Sequence, residues 1–469
     1  MRYHIVGIGG AGMSAIAHVL LDQGHQVQGS DAQRSALAAA LEARGAAVFV
    51  GHSPEHLAGA DALVATSAVK DDHVELRAAR ERGLQVLRRA DLWREWSRER
   101  AVVAVAGTHG KTTTTALIAL ALTRAGMEPG YLVGGEVPDL GANARWGAPD
   151  APLVIEADEY DRTFLALTPS VAVITNVEWD HVDIYPTKET YDEAFRQFAR
   201  SVADPRRVIM CGDDVGAVRA VDEPRAVQYG VDDAVASNPA SCRLTPLDWT
   251  AANLRTDGVL TRFELWRYSQ STFATSLLGG YAVRLPGAHN VRNALAAIVA
   301  CTALGVPHDA VRAALESYRG AKRRFELKGE AGGVTVVDDY AHHPTEVRVN
   351  VAAARARFPG RRLVVYLQPH TYSRTAALLD EWAGAFGDAD AVRVGAIYAA
   401  REVDTLGVDA TALAGRISHQ DVVAIGGVEQ AAAALLAELR PGDVLLTMGA
   451  GDSHRVGEIV LAELAGGRE

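Results

Sequence analysis

The chain predicts an α/β protein of three domains, and three observations carry that prediction. Short β-branched apolar runs alternate with alanine-rich helical stretches from end to end, the pattern of strand–helix–strand units around parallel sheets. Two of those runs open into glycine-rich turns, at residues 7–12 and 107–110, each followed by a helix-like segment. At 469 residues the chain exceeds what one core organises, and roughly 150 residues per domain gives about three.

The first block opens with a strand at Tyr3–Ile8, a glycine loop, a helix at Met13–Gln23 and a second strand at His25–Gly29, ending at Asp31. Strands at Ala46–Val50 and Ala62–Thr66 and a helix at Asp71–Arg82 continue a doubly wound pattern. Arg94–Arg100, rich in Arg and Glu, reads as a helix end and linker. The second block begins with the apolar run Ala101–Ala106, and the helix after Lys111 runs through Ala116–Ala125 to stop at Gly126. Leu153–Ala157, Val171–Asn176 and Arg207–Cys211 follow as strands. Residues 240–285 alternate more and predict an antiparallel insert, after which Asn290–Leu304 and His308–Tyr318 are helices. The third block starts near Lys322. Its strands are Val334–Val337, Leu363–Leu367, Ala391–Ile397, Val422–Ile425 and Val444–Met448, which predict another open parallel sheet.

Composition narrows the function classes. With 48% hydrophobic and 22% charged residues the chain is an ordinary globular protein. A net charge of −11 argues against a nucleic-acid partner held by phosphate neutralisation. Local basic pockets remain open, at Lys111 and at Lys322-Arg323-Arg324. Cys211, Cys242 and Cys301 are widely separated with no CxxC pair, which predicts incidental thiols in a reducing compartment. MRYHIVGIGG enters a strand without a secretory signal, and no apolar run reaches the roughly 18 residues of a membrane span. A cytoplasmic protein is expected.

The chemistry concentrates behind strands. Gly107-Thr108-His109-Gly110-Lys111-Thr112-Thr113 places backbone amides and a helix start around an anion; Lys111 adds a point charge and a Thr hydroxyl can reach Mg²⁺. A standard Walker A would have glycine where Val105 stands, so the loop is a shorter variant, and ATP is its expected ligand. Gly7-Ile8-Gly9-Gly10-Ala11-Gly12, with Asp31 downstream, supplies a diphosphate seat; alone it fits an NAD-dependent dehydrogenase equally. Glu156-Ala157-Asp158-Glu159-Tyr160-Asp161 sets carboxylates at a strand end suited to Mg²⁺. In Glu178-Trp179-Asp180-His181-Val182-Asp183, His181 is either a metal ligand or a helix-start cap. His342 and His343 beside Asp338 and Asp339 resemble a zinc site at first sight. Adjacent histidines in a strand diverge, however, so polar substrate contacts are the expectation. Arg374, in QPHTYSR, suits bidentate contact with a carboxylate.

Taken in order, HIVGIGGAGMS, GSD, GTHGKTTTT, EADEYDRTFL, VITNVEWDHVDIY, PGAHNVRNALAA, RRFE, VDDYAHHPTE, QPHTYSRT, YAARE and GAGD make the chain resemble the Mur ligases, specifically their alanine-adding branch. The resemblance implies an N-terminal Rossmann-like domain at 1–99 for a UDP-sugar, a central P-loop ATPase-type mixed sheet at 100–321 and a C-terminal Rossmann-like domain at 322–469. The implied activity is ATP- and Mg²⁺-dependent joining of L-alanine to the lactyl carboxylate of UDP-N-acetylmuramate through an acyl phosphate. It turns the first glycine loop toward UDP, with Gly9, Gly10, Ala11, Gly12, Met13, Ser14, Asp31, His52 and Ser67 as sugar-nucleotide contacts. ATP falls to residues 107–113 with Asn290, Arg324 and Asp339, and metal to Thr112, Glu156 and His181. Tyr340, His342 and Arg374 match amino-acid contacts, and Lys111, Glu156, His181, His342 and Arg374 carry the catalysis.

Two departures bear on the branch. Sister enzymes use a carbamylated lysine on the helix after the DHxD segment, but the expected helix Tyr191–Arg200 has none and Lys188 precedes it. Thr371 stands where some relatives have Arg. A tripeptide-recycling ligase of the same family is the nearest alternative. Monomer and weak dimer both remain open.

Overall fold

The computed structural model describes residues 1–66, 69–232, 247–257 and 259–466, arranged around three sheets. The first contains β1 (Arg2–Val6), β2 (Gln26–Asp31), β3 (Ala47–Val50), β4 (Ala62–Ala65) and β5 (Gln85–Arg88), all parallel, in the order β3-β2-β1-β4-β5. Helices α1 (Ala11–Asp22), α2 (Ala36–Ala43), α3 (Val74–Glu81) and α4 (Arg89–Glu99) connect these strands and lead out of the sheet. Alternation along β1 serves two cores. Ile5 packs with Ile16 and Val19 of α1, while Val6 packs with Leu76 and Ala79 of α3. Because β2 and β4 flank β1 on opposite sides, a crevice opens beyond Val6, where open sheets take ligands.

The central sheet has ten strands. They are β6 (Val102–Ala106), β7 (Gly130–Leu132), β8 (Ala144–Arg145), β9 (Leu153–Glu156), β10 (Val171–Ile174), β11 (Val208–Cys211), β12 (Val227–Asp232), β13 (Trp249–Asp257), β14 (Leu260–Ser269) and β15 (Ala274–Val283). Their order is β15-β14-β13-β12-β11-β10-β6-β9-β7-β8. From β7 to β13 all pairings are parallel, and β13-β14-β15 is an antiparallel meander. Helices α5 (Lys111–Arg124), α6 (Lys188–Arg200), α7 (Val215–Val221), α8 (Ala288–Ala303) and α9 (His308–Ser317) complete this part. Strand β6 is buried throughout, which its Val/Ala run permits, and it sits between β10 and β9 at the switch point.

The third sheet orders β16 (Glu326–Ala331), β17 (Val334–Asp339), β18 (Leu363–Leu367), β19 (Ala391–Gly395), β20 (Val422–Gly426) and β21 (Val444–Met448) as β16-β17-β21-β18-β19-β20. Helices α10 (Pro344–Arg357), α11 (Tyr372–Ala377), α12 (Ala410–Ala414), α13 (Val428–Glu438) and α14 (His454–Gly466) accompany it.

Several expectations need correction. The third sheet is not wholly parallel: β16 forms an antiparallel hairpin with β17 on the sheet's edge. Helix α6 begins at Lys188, not Tyr191, because Thr187 caps it through the Thr190 amide, so the helix does contain a lysine. That ammonium lies 6.0 Å from the Trp179 ring centroid. His342 and His343 leave the strand altogether, and His343 is the N-cap of α10. The meander confirms the antiparallel insert from Trp249 onward. Its expected first residues, 240–246, fall outside the described residues, as do Cys242 and Ser67. Cys211 and Cys301 are buried free thiols.

The turn after β6 depends on one glycine. Gly107 has φ +135°, and a Cβ there would collide with the Thr175 hydroxyl and the Asn176 carbonyl. Gly107→Ala is expected to lower unfolding free energy by about 2 kcal/mol through strain and overpacking. Chemical denaturation checks this, and an unchanged midpoint contradicts it.

Candidate active site

The phosphate-type loop forms because β6 ends in Gly107 and α5 starts at Gly110, whose φ of +82° turns the chain into the helix. Lys111 is the first helical residue. Its ammonium folds back to donate to the Gly107 carbonyl at 2.7 Å and to Glu159 Oε2 at 2.7 Å. Burial disfavours the charge on Lys111, but Glu159 and Asp158 outweigh it and raise its pKa. Burial likewise works against charge on Glu159, yet Lys111 and His181 hold its carboxyl down to about 2. Tyr191 donates to Glu159 Oε1 at 3.1 Å, and the Tyr185 hydroxyl donates to the Glu159 carbonyl at 2.7 Å. Glu159, read from the sequence only as one of a cluster of carboxylates suited to Mg²⁺, is therefore also the carboxylate that holds the loop's lysine.

Two carboxylate groupings flank the loop. Glu156 Oε1 accepts the Thr112 hydroxyl at 2.9 Å and Oε2 accepts the Gly134 amide at 2.6 Å, both neutral donors. Burial raises its pKa. Asp158, Glu159 and His181 bring one ligand atom each within 4.8 Å of one another. His181 adopts φ +53° and its amide donates to Asp180 Oδ1 at 2.7 Å. It starts no helix, so the capping alternative is removed. The three expected metal contacts fall in two groups: Thr112 pairs with Glu156, and His181, which the resemblance gives to a second Mg²⁺, joins Asp158 and Glu159.

The third sheet's loops close over this edge. His109 lies 3.0 Å from Glu178 Oε2 on one side and 3.0 Å from Glu346 Oε1 of α10 on the other. Thr345 donates to Glu178 Oε1 at 2.6 Å. Arg374 grips Asp180 with Nε at 2.8 Å and Nη2 at 3.2 Å, a buried bidentate pair between the second and third sheets. Glu178, Asp180 and Glu346 were quoted in motifs but given no role. For Glu346, the usable signal was its place three residues after the His343 cap, where a capping-box acid belongs.

Opposite protonation states sit side by side. Burial lowers the His109 pKa, but Glu346 and Glu178 reverse this and lift it to about 10. Burial and Arg374 push His342 down to about 3. Its Nδ1 is 3.0 Å from the Tyr340 carbonyl, which fixes the proton there and leaves Nε2 as an acceptor. His370 is also held neutral, at about 4, by burial and Arg374.

A cavity of about 320 Å³ is lined by His109, Thr112, Asn290, Arg324 and Asp339. Asn290 donates to the Pro286 carbonyl at 2.7 Å. Asp339 accepts the Phe325 and Ala341 amides at 2.7 Å each, and burial raises its carboxyl to about 7. Arg324 reaches in 3.9 Å from Glu346. Its neighbours Lys322 and Arg323 line the second cavity with it, each paired with an acid: Arg323 with Asp338 at 3.0 Å and Lys322 with Glu136. A second cavity, about 900 Å³, runs from Ala11 and Gly12 past Lys111, Glu156 and His181 to Tyr340, His342 and Arg374.

In the first sheet, the Gly9 amide donates to Asp31 Oδ2 at 2.9 Å and the Gly10 amide to Gly7. The amides of Ala11, Gly12 and Met13 open α1 and so have no helical acceptor, making them the loop's anion-facing donors. The Met13 side chain is buried in the core, and Ser14 accepts from Asn143 at 3.2 Å. His52 turns to Ser30, 2.9 Å away. Thr371 has φ +64°.

A lysine-bearing glycine loop at a central switch point, facing a second glycine loop and roofed by a third sheet, defines a three-domain α/β enzyme that uses a nucleoside triphosphate. Three family descriptions match the chain: "Mur ligase family, catalytic domain" at 2–100, "Mur ligase middle domain" at 105–301, and "Mur ligase, glutamate ligase domain" at 323–451. The UDP-N-acetylmuramate–L-alanine ligase of Roseiflexus sp. (strain RS-1) is 67% identical over 464 residues, covering 99% of both chains. That of Chloroflexus aggregans is 53% identical over 99% of this chain and 98% of its own. Among solved structures, UDP-N-acetylmuramate-alanine ligase of Thermotoga maritima superposes with TM-score 0.79 at 27% identity, covering 99% of each chain. A murein peptide ligase of Psychrobacter arcticus gives 0.72 at 26%, covering 99% of this chain and 98% of its own. The chain belongs to the Mur ligase family, and it is an ATP-dependent amide-forming ligase.

The His109 pKa lies above the ordinary 6.5, so its stabilisation is complete below about pH 6.5 and is lost as pH rises through about 10. His109→Gln is expected to cost about 2 kcal/mol near neutrality, since it leaves Glu178 and Glu346 without their cation. In denaturation at several pH values the gap to wild type should narrow between pH 7 and 10. A constant gap contradicts the assignment.

Proposed function

We propose that the protein joins L-alanine to the lactyl carboxylate of UDP-N-acetylmuramate at the expense of ATP, in peptidoglycan precursor synthesis. The observation that carries this is the 900 Å³ cavity, which connects the α1 loop, the Lys111 loop and the third sheet's His342 and Arg374 in one space. The UDP diphosphate sits on the α1 amides and projects the muramyl carboxylate toward Lys111. ATP occupies the 320 Å³ cavity, with its phosphates on residues 107–113 and its nucleoside beside Asn290 and Asp339. Among the described residues no helix is long and apolar enough to cross a membrane, which is consistent with a cytoplasmic site of action.

A carboxylate oxygen attacks the γ-phosphorus and the β,γ-bridging P–O bond breaks, releasing ADP and an acyl phosphate. Lys111 and the loop amides offset the developing charge and hold the groups in line. Alanine's amine enters as the free base, donates a hydrogen bond to the neutral Nε2 of His342 and attacks the acyl carbon; phosphate departs and carries off the proton the nitrogen loses. Arg374, partly satisfied by Asp180, turns its remaining edge to the alanine carboxylate. The donor sets fit Mg²⁺: Thr112 and Glu156 form one hard-oxygen seat whose carboxylate has only neutral donors, and Asp158 and Glu159 with His181 form another. Bound there, the ions would neutralise phosphate charge.

The residues argue for alanine addition over tripeptide recycling only through the run Leu167–Asn176 and the QPHTYSRT segment, but relatives named as alanine ligases match at up to 67% identity. Phosphate release with UDP-N-acetylmuramate and either L-alanine or the murein tripeptide decides the acceptor; turnover confined to the tripeptide overturns the proposal. In the same assay Lys111→Ala is expected to lose at least about 100-fold in rate. Its calorimetric affinity for the UDP-sugar should remain, and equal loss of both contradicts the role given to Lys111.

A further inference from the structure

Beneath the first glycine loop lies a group of side chains of which one alone, His52, is among the expected sugar-nucleotide contacts. Glu75, in the first turn of α3, is completely buried, and four histidines surround it from different segments: His4 on β1, His52 and His56 after β3, and His73 at the cap of α3. His52, His73 and Glu75 each offer a ligand atom within 4.8 Å of the others. His52 Nδ1 is 2.9 Å from the Ser30 hydroxyl and 3.4 Å from Glu75 Oε2, the second distance longer than a sound hydrogen bond. The 3.4 Å separation is the one an ion would bridge. It matches the edge of a tetrahedron with metal–ligand bonds of about 2.0–2.1 Å, which is about 3.3–3.4 Å.

The surroundings are those of a supported ligand. The Ser30 hydroxyl donates to Glu75 Oε2 at 2.6 Å, the Ser53 amide to Oε1 at 3.2 Å, and His56 Nδ1 lies 3.3 Å from Oε1. Burial works against ionisation of Glu75, but contacts with His4 and Ser30 hold its carboxyl down to about 2, so it is an anion at any working pH. His4 supplies an independent observation. It is 0% exposed, neither ring nitrogen has a hydrogen-bond partner, and Nε2 points at Glu75 Oε2 from 3.5 Å. A cluster satisfied by its own hydrogen bonds would leave no such orphan. His52 faces outward, which gives an ion a way in.

We propose that His52, His73 and Glu75 form a binding site for one divalent transition-metal ion of the zinc type, with water in the fourth position. Two imidazoles and a carboxylate are a borderline donor set that selects Zn²⁺ or Co²⁺ over Mg²⁺. The ion ties the loop after β3 to the start of α3, two segments that already meet through Glu75 and through the edge-on contact of the His52 and His73 rings, 4.6 Å between centroids. This site lies in the first domain, apart from the carboxylates around Lys111.

Chelator-stripped protein titrated with Co²⁺, in the presence of excess Mg²⁺ to fill hard-oxygen seats, tests this directly. Wild type should bind one tight equivalent with the visible absorption of tetrahedral Co²⁺, and Zn²⁺ should displace it and raise the melting temperature. In the double variant His52→Ala/His73→Ala, one change at an exposed residue and one at a half-buried cap, that absorption should vanish and the affinity for the equivalent fall at least about 10-fold. Circular dichroism of the metal-free variant checks that it folds, and the single variant His73→Ala serves where it does not. Absence of a tight equivalent in wild type, or an unchanged Co²⁺ spectrum in a folded variant, overturns the site.

Discussion

Negative charge is buried at the carboxyl edge of the central sheet, and the active-site architecture follows from the need to balance it. The end of β9 and the loops after β9 and β10 carry Glu156, Asp158, Glu159, Glu178 and Asp180 beside the 107–113 loop. Carboxylates out of water must be paired. The central domain provides Lys111, His109 and His181, and the third domain provides Arg324 and Arg374 from across the cleft. The Asp180–Arg374 pair, at 2.8 Å, is therefore both a charge balance and a domain contact. ATP brings further negative charge to the same edge, so its phosphates compete with Glu159 for Lys111. Nucleotide binding and domain arrangement are in this way linked through shared cations.

The same cleft runs two kinds of histidine. His109 lies between two carboxylates and is a cation; His342 and His370 lie against Arg374 and are neutral. Sequence shows these three histidines in polar segments without separating their states, because the distinction comes from partners far away along the chain. A fixed imidazolium suits binding of phosphate and closure of the domains. A neutral ring with its Nδ1 proton committed to the Tyr340 carbonyl suits acceptance of a hydrogen bond that orients an uncharged amine.

Local rules read much of the fold correctly. The Val/Ala run of β6, the glycine turn and Lys111 announced a strand, loop and helix because each feature is decided within a few residues. Edge and capping features were harder. Strand β16 was missed because Glu326–Ala331 is a half-exposed edge strand without an apolar run. Helix α6 was started three residues late because its first turn is polar and owes its place to the Thr187 cap. At the site, residue types were legible but pairings were not: Arg374, expected to meet a substrate carboxylate, also holds Asp180, 194 positions away. Asp31, expected on a ribose, buttresses the Gly9 amide. Long-range pairs of this kind leave no periodicity to read.

The account's central claim is that the loop at 107–113 activates a sugar-borne carboxylate by direct phosphoryl transfer. Supplying UDP-N-acetylmuramate labelled with ¹⁸O in the lactyl carboxylate, with Mg²⁺, ATP and L-alanine, tests that transfer atom by atom. One labelled oxygen should appear in the inorganic phosphate for each amide formed. Amide formation with unlabelled phosphate would contradict an acyl phosphate and the role assigned to the loop.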